Sequence, residues 1–187
     1  MRVHPVPLLK ALARGSPYFA LVLLGVILLV TYTVMVSERS KRPVSTDFFL
    51  FYKSAENFLE GRDIYSPVLN PMITDTTTTT TQGEKFLHPN LNPPFQTLVF
   101  SPLAVLEHRT SFLVWFVLSM ACGVLAAVLV GRAVGAEDPI LTSLLFISLL
   151  FFYFPTALAI VLGQWVLPPM LLLTLAWLVW RKERLAL

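Results

Sequence analysis

The feature that most limits the fold of this chain is a long apolar run, Tyr18–Val36, which contains no charged side chain. An α-helix rises about 1.5 Å per residue, so a run of this length can cross the roughly 30 Å apolar core of a membrane. It is longer than the apolar region of a secretory signal peptide, and no small-residue cleavage site follows it. Because 56% of the 187 residues are hydrophobic and only 13% are charged, we expect an integral membrane protein.

Three more apolar runs predict further membrane spans. The last of them begins near Pro168 and Pro169, which a helix accepts in its first turn. We therefore predict an all-α integral membrane protein that forms a single membrane domain over residues 1–187. Its transmembrane helices, about four in number, are expected at residues 18–36, 112–130, 140–156 and 165–180.

The basic residues beside these runs predict how the chain crosses the membrane. With four spans, the basic residues at the two ends of the chain and after the second span share one side, which the positive-inside rule assigns to the cytoplasm. These residues are Arg2, Lys10, Arg14, Arg132, Arg181, Lys182 and Arg184. We therefore expect a multi-pass protein of the cell membrane with cytoplasmic N and C termini and an outward loop over residues 37–111. Arg39, Lys41 and Arg42 lie on the outward side and oppose this orientation.

The outward loop holds most of the polar residues and divides into three parts. Residues 47–61 predict an amphipathic helix that ends at Gly61 and turns its apolar face to lipid or to a transmembrane helix. Residues 63–89 predict an irregular loop. Residues 95–106 are apolar but too short to span, so we expect an interfacial or re-entrant segment. The apolar face of the helix contains Phe48, Phe51, Tyr52, Ala55, Phe58 and Leu59, and the opposite face contains Lys53, Glu56, Asn57 and Glu60.

Asp47 stands in the first turn of that helix, on the border between its two faces. One interpretation is structural, since an acidic residue at a helix start can cap the helix and is favoured by the helix dipole. The other is catalytic, because a carboxylate near the membrane surface can meet a lipid-borne and a water-borne substrate together. The residue and its immediate neighbours leave both interpretations open.

Five short motifs occur in a defined order between the apolar runs. They are Asp47-Phe-Phe-Leu-Phe-Tyr-Lys-Ser-Ala, Gly61-Arg-Asp-Ile-Tyr-Ser-Pro67, Asn92-Pro-Pro-Phe, Ser101-Pro-Leu-Ala104 and Leu162-Gly-Gln164. In this order the set resembles glycosyltransferase family 87. The members of that family are membrane enzymes of the GT-C class that take mannose from a polyprenyl phosphate carrier, so the resemblance implies a GT-C-like helical fold.

The resemblance also implies the chemistry. Asp47 would be the general base that takes the proton of an acceptor hydroxyl while its oxygen attacks the anomeric carbon and inverts its configuration. The donor would be a polyprenyl-phosphate sugar, and membrane lipid would surround the protein. The resemblance asks for no metal ion or other cofactor. Because no basic patch interleaves with aromatic residues on a polar face, we expect no nucleic acid partner.

Four further residues are candidates for binding the substrates. Arg42 and His88 could stabilise the charge of the departing phosphate. Tyr65 could stack against a sugar ring, and Gln164 could bind a sugar hydroxyl or the loop backbone, because an amide at the membrane edge needs partners. The alternatives are a lipid headgroup contact for Arg42, an exposed loop position for His88 and the shaping of a turn for Tyr65.

The resemblance covers nearly all of this chain but only the N-terminal half of the longer family members. We therefore expect a truncated enzyme, or one half of a split enzyme whose membrane partner supplies further spans. The alternative is a non-catalytic membrane scaffold or partner subunit derived from the same fold. The sugar and the acceptor cannot be read from these residues.

Overall fold

The computed structural model describes residues 7–41, 47–66, 68–69, 87–88 and 91–185, and for 7–16, 68–69, 87–88 and 183–185 it describes the backbone only. Helices dominate these ranges, which confirms the all-α prediction. A short antiparallel pair of two-residue strands lies within the predicted irregular loop, with Val68 opposite His88. The elements are α1 (Pro7–Ser40), α2 (Asp47–Leu59), β1 (Val68–Leu69), β2 (Leu87–His88), α3 (Pro94–Phe100), α4 (His108–Ala133), α5 (Pro139–Phe152), α6 (Phe154–Leu162) and α7 (Leu167–Leu185).

Two of the described helices are long and apolar enough to cross a membrane, and a bent pair of helices could be a third span. The two are the Pro17–Ser40 part of α1 and the whole of α4, and the pair is α5 with α6. Both long helices leave large apolar side chains uncovered, such as Val30 at 57% and Val117 at 64% exposure, as helices facing lipid do.

The predicted fourth span, 165–180, is not among the described helices that are long and apolar enough to cross a membrane. Helix α7 does occupy this region, and it begins with Pro168 and Pro169 in its first turn, as the sequence predicts. Its apolar part ends where Arg181 and Lys182 begin a charged stretch. At about 1.5 Å per residue that part reaches about 21 Å, which is short of a roughly 30 Å apolar core.

The predicted third span, 140–156, is not one straight helix. Helices α5 and α6 meet at Tyr153 and their axes differ by 67°, and the second helix runs past Pro155 to Leu162. A proline ring clashes with the carbonyl four residues earlier and offers it no N–H, and here that carbonyl belongs to Phe151. The Tyr32 hydroxyl of α1 donates a hydrogen bond to the Phe151 carbonyl instead, so the bend leaves this buried acceptor satisfied.

The described residues form two compact units, and α1, α4 and α6 contribute to both. Within the described residues, the first unit contains 7–33, 119–158 and 165–185. In it the Tyr18 hydroxyl donates to the Asp138 carboxylate, and that carboxylate also caps α5 by accepting the Leu141 N–H at 3.0 Å. The hydrogen bond from Tyr18, and then the one from Leu141, hold the pKa of Asp138 below its ordinary value.

The second unit contains the described residues between 34 and 118 together with 159–164, and it has an aromatic core. Four large rings from three helices are almost fully buried there: Phe48 of α2, Phe100 of α3, and Phe112 and Trp115 of α4. The Phe48 ring lies 5.7 Å from that of Phe100 and 5.1 Å from that of Phe112. These contacts join the first turn of α2 to α3 and to the beginning of α4.

The predicted apolar face of α2 is correct for its first part and wrong for its last turn. Phe48, Phe51, Tyr52 and Ala55 are buried, whereas Phe58 and Leu59 are about half exposed. The short helix α3 packs against α2, where the Ser54 and Thr97 hydroxyls share a hydrogen bond of 2.7 Å. Asn57, assigned to the polar face, is buried instead, and its side chain accepts a 3.0 Å hydrogen bond from Arg62 Nε in the following turn.

The apolar segment 95–106 contains one short helix followed by turns. Pro93 is extended and precedes α3, with Pro94 in its first turn, as the Asn-Pro-Pro-Phe motif predicts. Phe95 and Leu98 are exposed on one side, whereas Thr97 and Phe100 are buried against α2 and α4. Packing within the second unit therefore covers half of this segment and leaves the other half open.

Candidate active site

Asp47 and Gln164, both chosen from the sequence, meet in the second unit. Gln164 Nε2 donates a hydrogen bond of 2.7 Å to Asp47 Oδ2, and the two residues are 117 positions apart in the chain. Both side chains are half buried. Asp47 is the first residue of α2, so the pair joins the beginning of α2 to the turn that follows α6.

The turn that carries Gln164 has a defined backbone geometry. Gly163 has a φ of +71°, its N–H donates to the Ile160 carbonyl at 3.1 Å, and the Gln164 N–H donates to the Ala159 carbonyl at 2.8 Å. These two bonds are the Schellman pattern of helix ends, in which a left-handed residue, usually glycine, follows the helix. The Leu162-Gly-Gln164 motif therefore ends α6 and sends Gln164 off in a fixed direction.

Gly163 is also the point where this turn presses against its neighbours. A methyl group added to Gly163 would lie 2.6 Å from Phe48 Cβ and 2.7 Å from Phe112 Cε2. Phe48 is the residue directly after Asp47. The absence of a side chain at Gly163 therefore lets the turn come close enough for Gln164 to reach the carboxylate.

Trp115 holds the same turn from α4. Its indole Nε1 donates to the Gly163 carbonyl at 3.0 Å, its side chain is 2% exposed, and its ring lies 4.4 Å from that of Phe100. Sequence analysis missed this role, because Trp115 is one of many apolar residues in the predicted span 112–130. The available signal was that a buried indole N–H usually finds an acceptor.

His108, the first residue of α4, is another residue that sequence analysis missed. Its ring meets Phe48, Phe49 and Tyr52 edge-on at 5.5, 5.7 and 5.0 Å. Its Nε2 atom is buried and has no hydrogen-bond partner among the described residues. Burying a polar atom without a hydrogen bond lowers the stability of the folded protein. His108 thus places such an atom inside the aromatic core, next to Phe48 and the beginning of α2.

Tyr52 lies on the side of α2 that faces His108. Its hydroxyl donates to the Leu106 carbonyl at 2.9 Å. Burial above all, and then the carboxylates of Glu56 and Glu107, raise the pKa of the phenol. Tyr52 therefore stays neutral and acts as a hydrogen-bond donor that ties α2 to the segment before α4.

The other predicted substrate residues do not join this pair within the described structure. The Tyr65 ring is 44% exposed, and its N–H donates to Asp63 Oδ1 at 2.9 Å in the turn after α2. No hydrogen bond or ring contact among the described residues links Tyr65 to Asp47. His88 is described by its backbone alone, in β2, and Arg42 lies outside the described residues.

The arrangement at Asp47 suits proton transfer. One carboxylate oxygen, Oδ2, is oriented by the Gln164 amide. The other oxygen accepts no hydrogen bond from the described residues, so a substrate hydroxyl can donate to it. Within the described ranges, no three His, Cys, Asp or Glu side chains come together as possible metal ligands.

These features define a helical membrane protein with a carboxylate–amide pair between the first residue of α2 and the turn after α6. The family model for glycosyltransferase family 87 matches residues 90–187, more than half of the chain, and the chain belongs to this family. The matched region includes Trp115, Gly163 and Gln164, whereas Asp47 lies before it. Neither the curated proteins nor the solved structures compared with the chain give a match.

Proposed function

We propose that this chain is a membrane glycosyltransferase that transfers a hexosyl group from a polyprenyl-phosphate sugar to an acceptor hydroxyl, with Asp47 as the general base. Membership of glycosyltransferase family 87 supplies the reaction class. The observation that carries the assignment of the base is the 2.7 Å hydrogen bond from Gln164 to Asp47. Mannose is the sugar implied by the family resemblance.

The proposed step is a single displacement. The acceptor oxygen attacks the anomeric carbon, and its proton passes to the carboxylate oxygen of Asp47 that does not accept from Gln164. The bond between the anomeric carbon and the phosphate oxygen breaks, the lipid phosphate leaves with the bonding electrons, and the configuration inverts. A well-placed general base contributes about 10²–10⁴-fold to such a rate.

Gln164 has two tasks in this proposal. Its Nε2 holds Oδ2 of Asp47 and so directs the other carboxylate oxygen toward the acceptor. Its Oε1 is the proposed acceptor for a sugar hydroxyl. The lipid phosphate is a good leaving group that needs charge stabilisation more than a proton, and Arg42 and His88 are the proposed sources of that stabilisation. Tyr65 is proposed as a stacking surface for a sugar.

The proposed membrane arrangement has four spans, of which α7 is the shortest, with cytoplasmic termini and an outward active site. Hydrogen bonds in the first unit support one part of it. Tyr18, near the beginning of the first span, bonds Asp138 at the start of α5, and Arg181 of α7 donates to the carbonyl of Ala133 at the end of α4. The helix ends that carry Arg132 and Arg181 thus share one unit, as the positive-inside rule favours for a cytoplasmic side.

The test uses membranes that contain the full chain, supplied with polyprenyl phosphate carrying a radiolabelled hexose. Label should leave the lipid fraction and enter an acceptor, and Asp47→Asn should lower this rate about 10²–10⁴-fold. Glu60→Gln is the matched control, because Glu60 is an exposed acid of the same loop and its replacement removes the same charge. The control should keep the original rate.

Two results would contradict the proposal. A normal rate for Asp47→Asn would show that another group accepts the proton. Transfer from none of the hexose donors tried, by a chain that remains folded, would favour the non-catalytic scaffold. Mannosyl and glucosyl donors tested side by side decide the sugar.

A further inference from the structure

The indole of Trp115 touches the turn that carries Gln164, although Trp115 itself does not touch Asp47. We propose that Trp115 is a positioning residue. Its hydrogen bond fixes the orientation of the peptide group between Gly163 and Gln164, and this orientation lets the Gln164 amide reach Asp47. The catalytic consequence rests on the proposed function. The position of the Gln164 amide relative to Asp47 does not depend on the proposed function.

The argument begins with one peptide unit. The Gly163 carbonyl and the Gln164 N–H belong to the same planar group, which does not twist at ordinary cost. The carbonyl end accepts from Trp115 Nε1 at 3.0 Å, and the N–H end donates to the Ala159 carbonyl at 2.8 Å. A planar group held at both ends has a fixed orientation, and the Cα of Gln164 leaves it in a fixed direction.

Water cannot readily replace the bond from Trp115. The side chain is 2% exposed, and an indole N–H is a donor only. A buried donor that loses its acceptor pays the full cost of its desolvation. The bond to Gly163 is therefore strongly favoured in the folded protein, and it restrains a turn that carries no side chain of its own at residue 163.

Trp115 is well placed for this task because its own position is restrained by the core that holds Asp47. Its ring contacts that of Phe100 at 4.4 Å, and the Phe100 ring contacts that of Phe48 at 5.7 Å. Phe48 follows Asp47 directly in α2. The same aromatic core thus fixes the position of the Asp47 carboxylate through Phe48 and that of the Gln164 amide through the Trp115 indole N–H.

A cross-linking experiment measures this positioning without any assay of sugar transfer. Cys122 is the only cysteine of the chain, so Cys122→Ser gives a background without thiols. Asp47→Cys and Gln164→Cys then place two thiols where the hydrogen-bonded side chains lie, and a short bis-maleimide joins them. The full chain in membranes is used throughout, and the rate of intramolecular cross-linking is measured.

Removing the indole N–H should slow the cross-linking. We expect Trp115→Phe to lower the rate about five-fold, the equivalent of one hydrogen bond of about 1 kcal/mol. Trp180→Phe makes the same chemical change at a half-exposed position of α7 and should leave the rate unchanged. 3-Benzothienylalanine incorporated at position 115 keeps the ring shape without the N–H, and it should slow the reaction as Trp115→Phe does even if the phenylalanine variant folds poorly.

Kinetics of sugar transfer provide the second readout. With Asp47 and Gln164 intact, Trp115→Phe should lower kcat and leave the KM for the donor unchanged, because the indole acts on the amide that orients the base. Cross-linking at the original rate in both position-115 variants would overturn the proposal. Slower cross-linking in the position-115 variants, together with no sugar transfer by the unsubstituted chain, would support the positioning role and reject the proposed function.

Discussion

Helices α2 and α6 end in two turns of the same backbone type, but the surroundings of the two turns differ. Gly61 has a φ of +68° and Gly163 a φ of +71°. After α2, the N–H groups of Gly61 and Arg62 donate to carbonyls at 3.1 and 2.8 Å, and after α6 those of Gly163 and Gln164 do so at the same two distances. As local structures the two turns are equivalent.

The difference lies in what each turn meets. A side-chain carbon added at Gly61 would have no neighbour within 4 Å, whereas one added at Gly163 would collide with Phe48 and Phe112. The residue that follows differs accordingly. Arg62 is exposed and pairs with Glu60 and Asn57 of its own turn, whereas Gln164 reaches across to Asp47.

The comparison shows that one local motif can serve two purposes. At Gly61 the turn only ends a helix, and its glycine is needed for backbone conformation alone. At Gly163 the same conformation is combined with a close approach between segments, and this approach assembles the candidate site. Substitutions at equivalent positions of the two turns should therefore have unequal effects.

The largest difference is expected for Gly163→Ala. The left-handed backbone costs an alanine about 1–2 kcal/mol, and the collision with two buried rings adds about 1–3 kcal/mol of overpacking. We expect the free energy of unfolding to fall by the sum, measured by denaturation of the detergent-solubilised chain. The rate of sugar transfer should fall with it. A loss no larger than that of Gly61→Ala would show that the turn does not press on α2.

An intermediate effect is expected for Gln164→Leu. This change removes the amide that binds Oδ2 of Asp47, and hydrogen bonds to charged groups contribute about 1.5–3 kcal/mol. The rate of sugar transfer should fall at least about ten-fold, which corresponds to about 1.4 kcal/mol. Arg62→Leu is the control at the equivalent position of the other turn and should keep the rate. Equal rates for both variants would show that the Gln164 amide has no part in the reaction.

The smallest effect is expected for Gly61→Ala. Only the backbone term of about 1–2 kcal/mol applies here, and the rate of transfer should stay unchanged. Gly61→Asn should cost less than Gly61→Ala, because asparagine tolerates the left-handed conformation better. At Gly163 the order should reverse, since asparagine is larger than alanine. The same order at both glycines, measured as free energies of unfolding, would contradict the comparison.

Much of the fold follows from local signals in the sequence. The apolar runs predict the helices that can span a membrane, Asp47 and Gly61 mark the region of α2, and the Asn-Pro-Pro-Phe motif marks the start of α3. Each signal acts within a turn or along one helix, so no knowledge of distant neighbours is needed. The resemblance built on these motifs also led to the correct family.

Other parts could not be predicted because they depend on neighbours far along the chain. Phe58 and Leu59 belong to the apolar arc of α2, yet the short helix α3 leaves them open. The carbonyl freed at the bend between α5 and α6 is satisfied by Tyr32, which lies 119 residues away. Trp115 is one apolar residue among many until its N–H is seen to meet Gly163, 48 residues away.

The sequence by itself determined that this is a helical membrane protein of glycosyltransferase family 87, and it determined the first of the two turns, at Gly61. Periodicity, glycine and proline suffice for such features because their causes lie within a few residues. Only the tertiary structure decided that the second turn carries its glutamine to Asp47. That outcome depends on the space left by Gly163, on the rings of Phe48 and Phe112, and on the indole of Trp115. These groups come from helices α2 and α4 and from the turn after α6, so their meeting depends on long-range packing.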